Sequence, residues 1–222
     1  MTQQRHTELD DDVFVSHVLE AGNWFKKNQQ AVTIGIVVLV IVAASLLYYR
    51  NYKGSLVGQA SNQLEEIHTQ AAMGDVNGAK DALILYLDRF GSTAYAGEAR
   101  MLLGEIYLSE GESEQALATL EPMAESPRDP LELQAASLLG AAYEQEGRWG
   151  DAEATYLRIA DRSELDFQVR DALAAAARIR AAQGNPAGAA ELYRRILDGL
   201  EEDSPDRGLW EMRLAELGPV AG

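Results

Sequence analysis

The residue types that most often carry out chemistry are sparse in this sequence and are not grouped. The three histidines, His6, His17 and His68, are isolated, and none belongs to a paired spacing that binds a metal ion. Cysteine is absent, which excludes thiolate nucleophiles, disulfides and Cys-ligated zinc. The sequence also lacks a phosphate-binding loop that ends in Gly-Lys-Ser/Thr and a Gly-x-Ser-x-Gly elbow. We therefore expect no enzyme activity, no catalytic residues, no metal site and no bound cofactor.

Carboxylates are the one reactive type in excess. Asp and Glu number 35 against 19 Lys and Arg, so the formal net charge is −16. With so many carboxylates, no particular acid/base pair stands out from the sequence. A surface this negative repels nucleic-acid phosphates and anionic lipid head groups. Polypeptide segments that are basic or amphipathic are the expected partners, and nucleic acid is not.

A repeated spacing dominates the chain after residue 70. Glycines recur at intervals of 37, 36 and 37 residues, each is followed five positions later by alanine, and a large residue follows four positions after that. The positions are Gly74, Gly111, Gly147 and Gly184; Ala79, Ala116, Ala152 and Ala189; and Leu83, Leu120, Tyr156 and Tyr193. Such a period predicts stacked helical hairpins in which each glycine ends a helix with left-handed backbone.

Two units of this pattern, LLGEIYLSEGESEQALATL and LLGAAYEQEGRWGDAEATY, resemble tetratricopeptide repeats (TPRs). The resemblance implies that a glycine lets the paired helices approach, a tyrosine fills the space between them, and a large residue fills the seam to the next unit. These residues are Gly104, Tyr107 and Leu120 in one unit and Gly140, Tyr143 and Tyr156 in the next. We expect an all-α chain with about four TPR-like hairpins stacked as a solenoid.

An uncharged segment precedes the repeats. Residues 31–49, AVTIGIVVLVIVAASLLYY, contain no charged side chain. As a helix they would be about 28 Å long, close to the hydrocarbon thickness of a bilayer. We predict one transmembrane helix here. A cleaved secretory signal ending near Ala43 and Ala44 is the alternative, although its apolar region usually has about 7–15 residues and lies nearer the terminus.

Aromatic residues flank this span, where amphipathic rings prefer the head-group region. The predicted membrane-interface residues are Trp24, Phe25, Tyr48, Tyr49 and Tyr52. Lys26 and Lys27 on one side balance Arg50 and Lys53 on the other, so the charges do not set the orientation. Residues 1–30 are expected to form a short acidic tail with an amphipathic helix, which lies at the membrane surface or docks on another membrane subunit.

The predicted repeat domain comprises residues 50–222. Between the span and the first repeat only Gly54 and Gly58 are weak helix formers, so we predict that the membrane helix continues into the stack. Asp129-Pro130 and Asn185-Pro186 each place an N-cap before a proline, and Ser163 is expected to cap in the same way.

The last segment of the repeat domain, residues 208–217, is expected to be a capping helix. Its apolar residues Leu209, Met212 and Leu217 have near-helical spacing. An open helical stack needs such an end to stay soluble.

The TPR resemblance also implies a concave groove lined by the first helix of each unit. The implied partner-binding positions are Glu98, Met101, Glu105, Leu108, Gln134, Ser137, Ala141, Glu144, Asp171, Ala174 and Arg178. Such a lining suits an amphipathic or extended segment that carries Lys or Arg. The other interpretation is that this is simply a solvated face.

The order of tail, membrane helix and repeats resembles the YfgM-like ancillary subunits of the bacterial Sec translocon. That resemblance implies a single-pass inner-membrane protein with a cytoplasmic N-terminus and a periplasmic repeat domain. Its implied partners are the SecYEG translocon and a membrane-anchored periplasmic chaperone of the PpiD type. A non-enzymatic adaptor at the translocon is the leading hypothesis; a structural accessory subunit of another membrane complex, energy-converting or envelope-building, is the alternative.

Overall fold

The computed structural model describes residues 28–124 and 127–218, and the chain divides into two compact units, residues 1–55 and 56–222. Every regular element in the described part is an α-helix. The helices are α1 (Gln29–Ala72), α2 (Val76–Phe90), α3 (Ala96–Glu110), α4 (Ser113–Ala124), α5 (Pro130–Gln145), α6 (Trp149–Arg162), α7 (Asp166–Ala182), α8 (Pro186–Asp198) and α9 (Arg207–Glu216). The predicted amphipathic helix before residue 28, with Trp24 and Phe25, lies outside the described residues, as do His6 and His17.

In the first unit the described residues belong almost entirely to α1. Large apolar side chains along it are exposed, and Leu39 is 69% exposed. Within the described part of the chain, α1 is the one helix that is long and apolar enough to cross a membrane. Gly54 and Gly58 lie inside α1, so neither residue ends the helix.

The second unit is a series of helical hairpins. Residues 56–72 of α1 pair with α2, and α3–α4, α5–α6 and α7–α8 form the next three pairs before α9. The all-α solenoid of four TPR-like hairpins and a last helix is therefore confirmed. Left-handed backbone occurs at each of the four repeat glycines, with φ of 90°, 75°, 69° and 76° at Gly74, Gly111, Gly147 and Gly184. Glycine is the residue that adopts this conformation without steric cost, so the period of the sequence is the period of the helix ends.

Close helix approach inside a unit depends on Gly104 and Gly140. A Cβ atom at Gly140 would lie 2.7 Å from the Tyr156 ring, and one at Gly104 would lie 2.8 Å from Leu120. Tyr156 and Leu120 therefore pack against the first helix of their own unit. The sequence placed these two side chains at the seam to the next unit, and their packing against the glycine across their own hairpin is an additional contact.

The repeat tyrosines reach the preceding unit instead. The Tyr143 hydroxyl donates a hydrogen bond to Glu121 of α4 at 3.1 Å. Lys80 of α2 lies 5.8 Å from the ring centroid of Tyr107 on α3. Tyrosine is long enough to pass beyond its own hairpin, so these side chains also link consecutive units.

Two of the three predicted N-caps are confirmed. Asp129 accepts a hydrogen bond from the Glu132 amide at 2.9 Å, and Asn185 accepts one from the Gly188 amide at 2.9 Å. Ser163 differs: it ends α6, and its hydroxyl accepts from the Leu165 amide at 3.1 Å, one residue before α7 begins. The intervening residues of the α6–α7 turn keep Ser163 outside the first turn of α7.

The interior of the second unit contains two clusters of buried apolar side chains. One joins α1, α2 and α3 around Tyr86, Phe90 and Leu83. The other extends from Met101 in α3 to Ile196 in α8. Tyr107 packs against both clusters, so the hydrophobic interior continues from one hairpin to the next. This continuity stabilises a stack whose single hairpins bury too little apolar surface alone.

Helix α9 closes the C-terminal end, as predicted, but with a different face. Trp210, Leu214 and Leu217 pack against the larger cluster, and the Trp210 ring lies 6.2 Å from that of Tyr193. Of the three apolar residues whose spacing indicated this helix, Leu217 packs inward, whereas Leu209 and Met212 are 44% and 49% exposed. The half-buried residues Trp210, Leu214 and Leu217 follow the i, i+4, i+7 spacing of one helix face, and Leu209 and Met212 lie off that face.

Candidate partner-binding groove

The predicted groove residues lie on α3, α5 and α7, the first helices of three consecutive units. Half-buried side chains and exposed ones alternate along these helices. The exposed residues are Glu98, Glu105, Gln134, Ser137, Asp171 and Arg178, and the half-buried ones are Leu108, Ala141, Glu144 and Ala174. Met101 is only 9% exposed, because its side chain packs into the larger apolar cluster.

Two cavities bring part of this set together. A cavity of about 350 Å³ between α5 and α7 is lined by Gln134, Ser137 and Asp171. A second cavity, of about 550 Å³, lies between α7 and α9 and is lined by Asp171, Ala174 and Arg178. Asp171 thus contributes to both. The predicted residues on α3 line neither cavity. The structure therefore brings together predicted groove residues of α5 and α7, and leaves those of α3 apart from them.

An ion pair connects two of the units across this face. Arg178 of α7 donates two hydrogen bonds to the Glu144 carboxylate of α5, at 2.7 and 3.0 Å. Glu144 also accepts a hydrogen bond from the Tyr156 hydroxyl at 2.8 Å. The planar guanidinium matches both carboxylate oxygens, which fixes the α5–α7 register. Neither Glu144 nor Arg178 is therefore an unpaired charge within the groove.

The buried ends of these side chains have perturbed acidities. Burial raises the pKa of the Tyr156 phenol, and its hydrogen bond to the Glu144 carboxylate raises it further. The hydrogen bond to Glu144 raises the pKa of Arg178, so the guanidinium stays charged across the physiological range. Burial likewise raises the pKa of Tyr193, which lines the α7–α9 cavity.

The remaining charges define where the groove is negative. Glu98 lies 3.1 Å from the His68 imidazole of α1. Glu105 and Asp171 form no ion pair with any residue in 28–124 or 127–218. Among the carboxylates of the predicted groove, Glu105 and Asp171 are therefore the two without a side-chain partner in the described part of the chain.

Several side chains at the two cavities were not among the predicted groove residues. Phe167 lines the α5–α7 cavity, and Tyr193, Leu209, Trp210 and Arg213 line the α7–α9 cavity. The sequence pattern gave Tyr193 as the large residue of the last repeat and Leu209 as an apolar residue of the capping helix, and neither as a groove residue. An aromatic residue at the second position of α7, one helical turn before Asp171, was the available signal for the first cavity.

A third cavity lies between the second helices α4 and α6. It has a volume of about 450 Å³, and Glu121, Tyr143 and Thr155 are among its lining residues. Burial raises the pKa of Tyr143, and its hydrogen bond to the Glu121 carboxylate adds to that rise. This cavity shares no lining residue with the groove cavities.

Chemistry at metal ions is not indicated by the side-chain arrangement. In the part of the chain that the structure describes, no group of three or more Asp, Glu or His side chains could hold a metal ion. The groove instead offers apolar surface, hydrogen-bonding side chains and unpaired carboxylates. These are the components of a polypeptide-binding surface.

The described residues of the predicted membrane interface lie on α1. Tyr48, Tyr49 and Tyr52 are exposed, and the Tyr48 and Tyr52 rings stack with centroids 6.4 Å apart. Lys53 lies 5.1 Å from the Tyr49 ring centroid. Three exposed tyrosines and a lysine within six residues combine apolar surface with polar tips, a composition typical of a head-group region.

Comparison with known families gives a match over most of the chain. The family model described as "Tetratricopeptide repeat-like domain" matches residues 22–219. Among curated proteins, no significant match was found. The repeat glycines and the paired helices all fall inside the matched range.

Similar solved structures are other helical repeat proteins. The nearly identical TPR-like repeats assigned to a kinesin light chain of Podosopora anserina share 20% identity, with a TM-score of 0.57 over 72% of this chain and 85% of that one. A tetratricopeptide repeat protein from Parabacteroides merdae shares 16% identity, with a TM-score of 0.59 over 71% of this chain and 59% of that one. At these identities the likeness concerns the fold alone.

Proposed function

Because this chain belongs to the tetratricopeptide repeat-like domain family, we propose that it is a non-enzymatic, membrane-anchored scaffold that binds other proteins. The observation that carries the proposal is the groove on α5 and α7, where two cavities meet at the unpaired carboxylate of Asp171. The repeat side chains themselves are occupied in packing one helix on another. Such a stack has an extended concave surface, and folds of this kind commonly mediate protein–protein contact.

Membrane attachment is assigned to residues 31–49 of α1. This segment has no charged residue, and its large apolar side chains are exposed. A core helix of a soluble protein would bury such side chains, which argues against that interpretation. A helix of this length fits a bilayer of about 30 Å, and Tyr48, Tyr49 and Tyr52 would lie at one head-group region.

The proposed location is the bacterial inner membrane, with the N-terminus cytoplasmic and the repeat domain periplasmic. The order of tail, span and repeats motivates this topology through its resemblance to the YfgM-like translocon subunits. Protease added to intact spheroplasts should digest the repeat domain while leaving a protected fragment that contains the tail and the span, residues 1–49. Protection of the repeat domain until the membrane is opened would reverse the assignment.

The proposed partners are subunits of the Sec translocon and a membrane-anchored periplasmic chaperone. Purification of the tagged full chain from mild detergent, followed by mass spectrometry, tests this directly. Translocon or chaperone subunits should be enriched over a control chain that keeps residues 1–55 and lacks the repeats. Enrichment of one unrelated membrane complex alone would reject the translocon assignment.

A structural accessory subunit is the second candidate, and one observation favours it. Leu85 and Ile84 on α2 are exposed large apolar side chains, with Leu85 69% exposed, on a unit remote in sequence from the groove cavities. A permanent interface through such an apolar surface should persist at 1 M salt, roughly where the screening length falls to 3 Å. Partners held mainly by the groove carboxylates should be released under the same condition.

A further inference from the structure

The two groove cavities form a composite site around Asp171. The α5–α7 cavity, of about 350 Å³, includes Phe167 in its lining, and the α7–α9 cavity, of about 550 Å³, includes Leu209 and Trp210. Asp171 lies at the boundary because it lines both. The site therefore has an apolar part, a carboxylate and a second apolar part, in that order along α7.

Each apolar part presents a large side chain that the fold does not cover. Phe167 is 53% exposed, and Leu209 is 44% exposed. Beside Leu209, the Tyr193 and Trp210 rings lie 6.2 Å apart and form an aromatic wall. Exposed apolar groups that line concave surfaces are typical of binding sites, whereas isolated exposed ones on convex surface are ordinary.

The charge at the centre of the site is negative and uncompensated. The two arginines that line the α7–α9 cavity already have partners: Arg178 is bound to Glu144, and Arg213 pairs with Glu216 at 3.0 Å. Asp171 forms no ion pair with any described residue. A ligand with a cation at this point would complete the charge pairing, while a phosphate or carboxylate would be repelled.

The spacing of the parts selects the shape of the ligand. The two sets of lining residues on α7 are centred roughly six residues apart, which is about 10 Å along a helix. In an extended chain, side chains at i, i+2 and i+4 project from one face and span about 13 Å. A central side chain of that set would meet Asp171 while its two neighbours enter the cavities.

We infer that this site recognises an extended polypeptide segment in which a Lys or Arg stands between two apolar side chains at the i, i+2 and i+4 positions. The basic residue pairs with Asp171, and the apolar residues enter the Phe167 and Leu209 cavities. The inference rests on the proposed scaffold function and specifies which segments the scaffold accepts. A purely electrostatic surface would need only the basic residue of the segment, whereas this site needs the basic residue and both apolar side chains for binding.

A peptide-binding measurement on the full chain in lipid nanodiscs tests the inference. The probe is a fluorescein-labelled, end-blocked peptide containing Leu-Ser-Lys-Ser-Leu, with empty nanodiscs as the blank. Replacing the peptide Lys by Glu should weaken binding about tenfold or more, since an attraction becomes a repulsion. Replacing either peptide Leu by Ser should weaken it about tenfold, which corresponds to the lost burial of one apolar side chain.

Variants of the protein provide matched controls. Leu209→Ser should weaken binding about fivefold or more, whereas Met212→Ser, an equally exposed apolar site on α9 outside the cavity, should change it less than about twofold. Asp171→Lys should weaken binding of the Lys peptide about tenfold and should restore binding of the Glu peptide. Glu191→Lys, the same charge change on an exposed position of α8 outside both cavities, should do neither.

Three results would overturn the inference: no binding of the Lys peptide to the wild-type chain, equal binding of the Lys and Glu peptides, or equal effects of Asp171→Lys and Glu191→Lys. If partners still copurify with the chain when any of these occurs, the recognition rule is wrong and the scaffold function stands. If no partner copurifies, the proposed scaffold function is wrong. The peptide measurement then still shows whether the site prefers a basic residue between two apolar ones. The two proposals therefore fail through different observations.

Discussion

Substituting Gly140 by alanine probes the packing on which the repeat stack depends. The added Cβ would lie 2.7 Å from Cε1 and Cζ of Tyr156, whereas nonbonded carbon atoms normally lie about 3.5–4.0 Å apart. Relieving this overlap requires the tyrosine ring or helix α6 to move by about 1 Å, and such overpacking typically costs about 1–3 kcal/mol. The better helix propensity of alanine offsets about 0.5–1 kcal/mol of that cost. We expect Gly140→Ala to lower the free energy of unfolding by about 1–2 kcal/mol.

Gly150 provides a matched control inside helix α6. A Cβ at Gly150 would meet no atom within 4 Å, so Gly150→Ala should leave stability unchanged or raise it by up to about 1 kcal/mol. In a Tyr156→Ala background, Gly140→Ala should cost little, because alanine has no side-chain atom beyond Cβ for the added methyl group to strike. The coupling between the two substitutions should be about 1 kcal/mol or more.

Urea unfolding of the full chain in mild detergent, followed by tryptophan fluorescence and circular dichroism, measures these differences. Trp210 packs against the larger cluster and reports its loss. Equal effects of Gly140→Ala and Gly150→Ala, or no coupling between Gly140→Ala and Tyr156→Ala, would refute the packing role assigned to Gly140.

Two further predictions concern the helix ends and the buried tyrosines. Gly147→Ala should lower the free energy of unfolding by about 1–2 kcal/mol, because φ of 69° at this position forces an L-residue into left-handed backbone. Urea unfolding measures the change. An unchanged urea midpoint would contradict the role of Gly147 as a left-handed helix end. The raised pKa values of Tyr143, Tyr156 and Tyr193 mean that the folded state favours the protonated phenols. Their contribution to stability is therefore fully present below the unfolded-state pKa of about 10 and is lost as pH rises through the higher folded-state values. Stability should fall above about pH 10, and Tyr156→Phe should make that fall shallower; an identical slope in the variant would contradict the assignment.

The sequence predicted the parts of the fold that depend on local geometry. A glycine with positive φ, or an Asp or Asn before a proline, acts within one helix end, so Gly111, Gly147, Asp129 and Asn185 could be assigned without knowledge of the tertiary structure. The period of these residues then determined the number of hairpins. The long apolar helix was equally visible, because it needs only composition and length.

The sequence did not predict which helix each large side chain meets. Tyr143 contacts Glu121 in the preceding unit and Tyr156 contacts Gly140 in its own, and both arrangements satisfy the same repeat pattern. The Glu144–Arg178 ion pair joins residues 34 positions apart, and no local sequence pattern indicates that these two side chains meet.

The C-terminal cavity was missed for a related reason. A ten-residue helix such as α9 can bury either of two apolar faces, and contact with Tyr193 selects the Trp210 face while leaving Leu209 exposed. The choice depends on the shape of the preceding hairpin, which the repeat period alone does not specify.

Photo-crosslinking in native membranes, from positions in the repeat unit, tests the central claim that the groove is the surface that contacts partners. A photoreactive residue placed at Gln134 or Ser137, both exposed in the groove, should form covalent adducts with subunits of one membrane complex. The same residue at Asp161 or Glu191, exposed positions outside the groove cavities, should form few. Adducts from the groove positions alone are the predicted result. Equal adducts from all four positions, or none from the groove, would contradict the account.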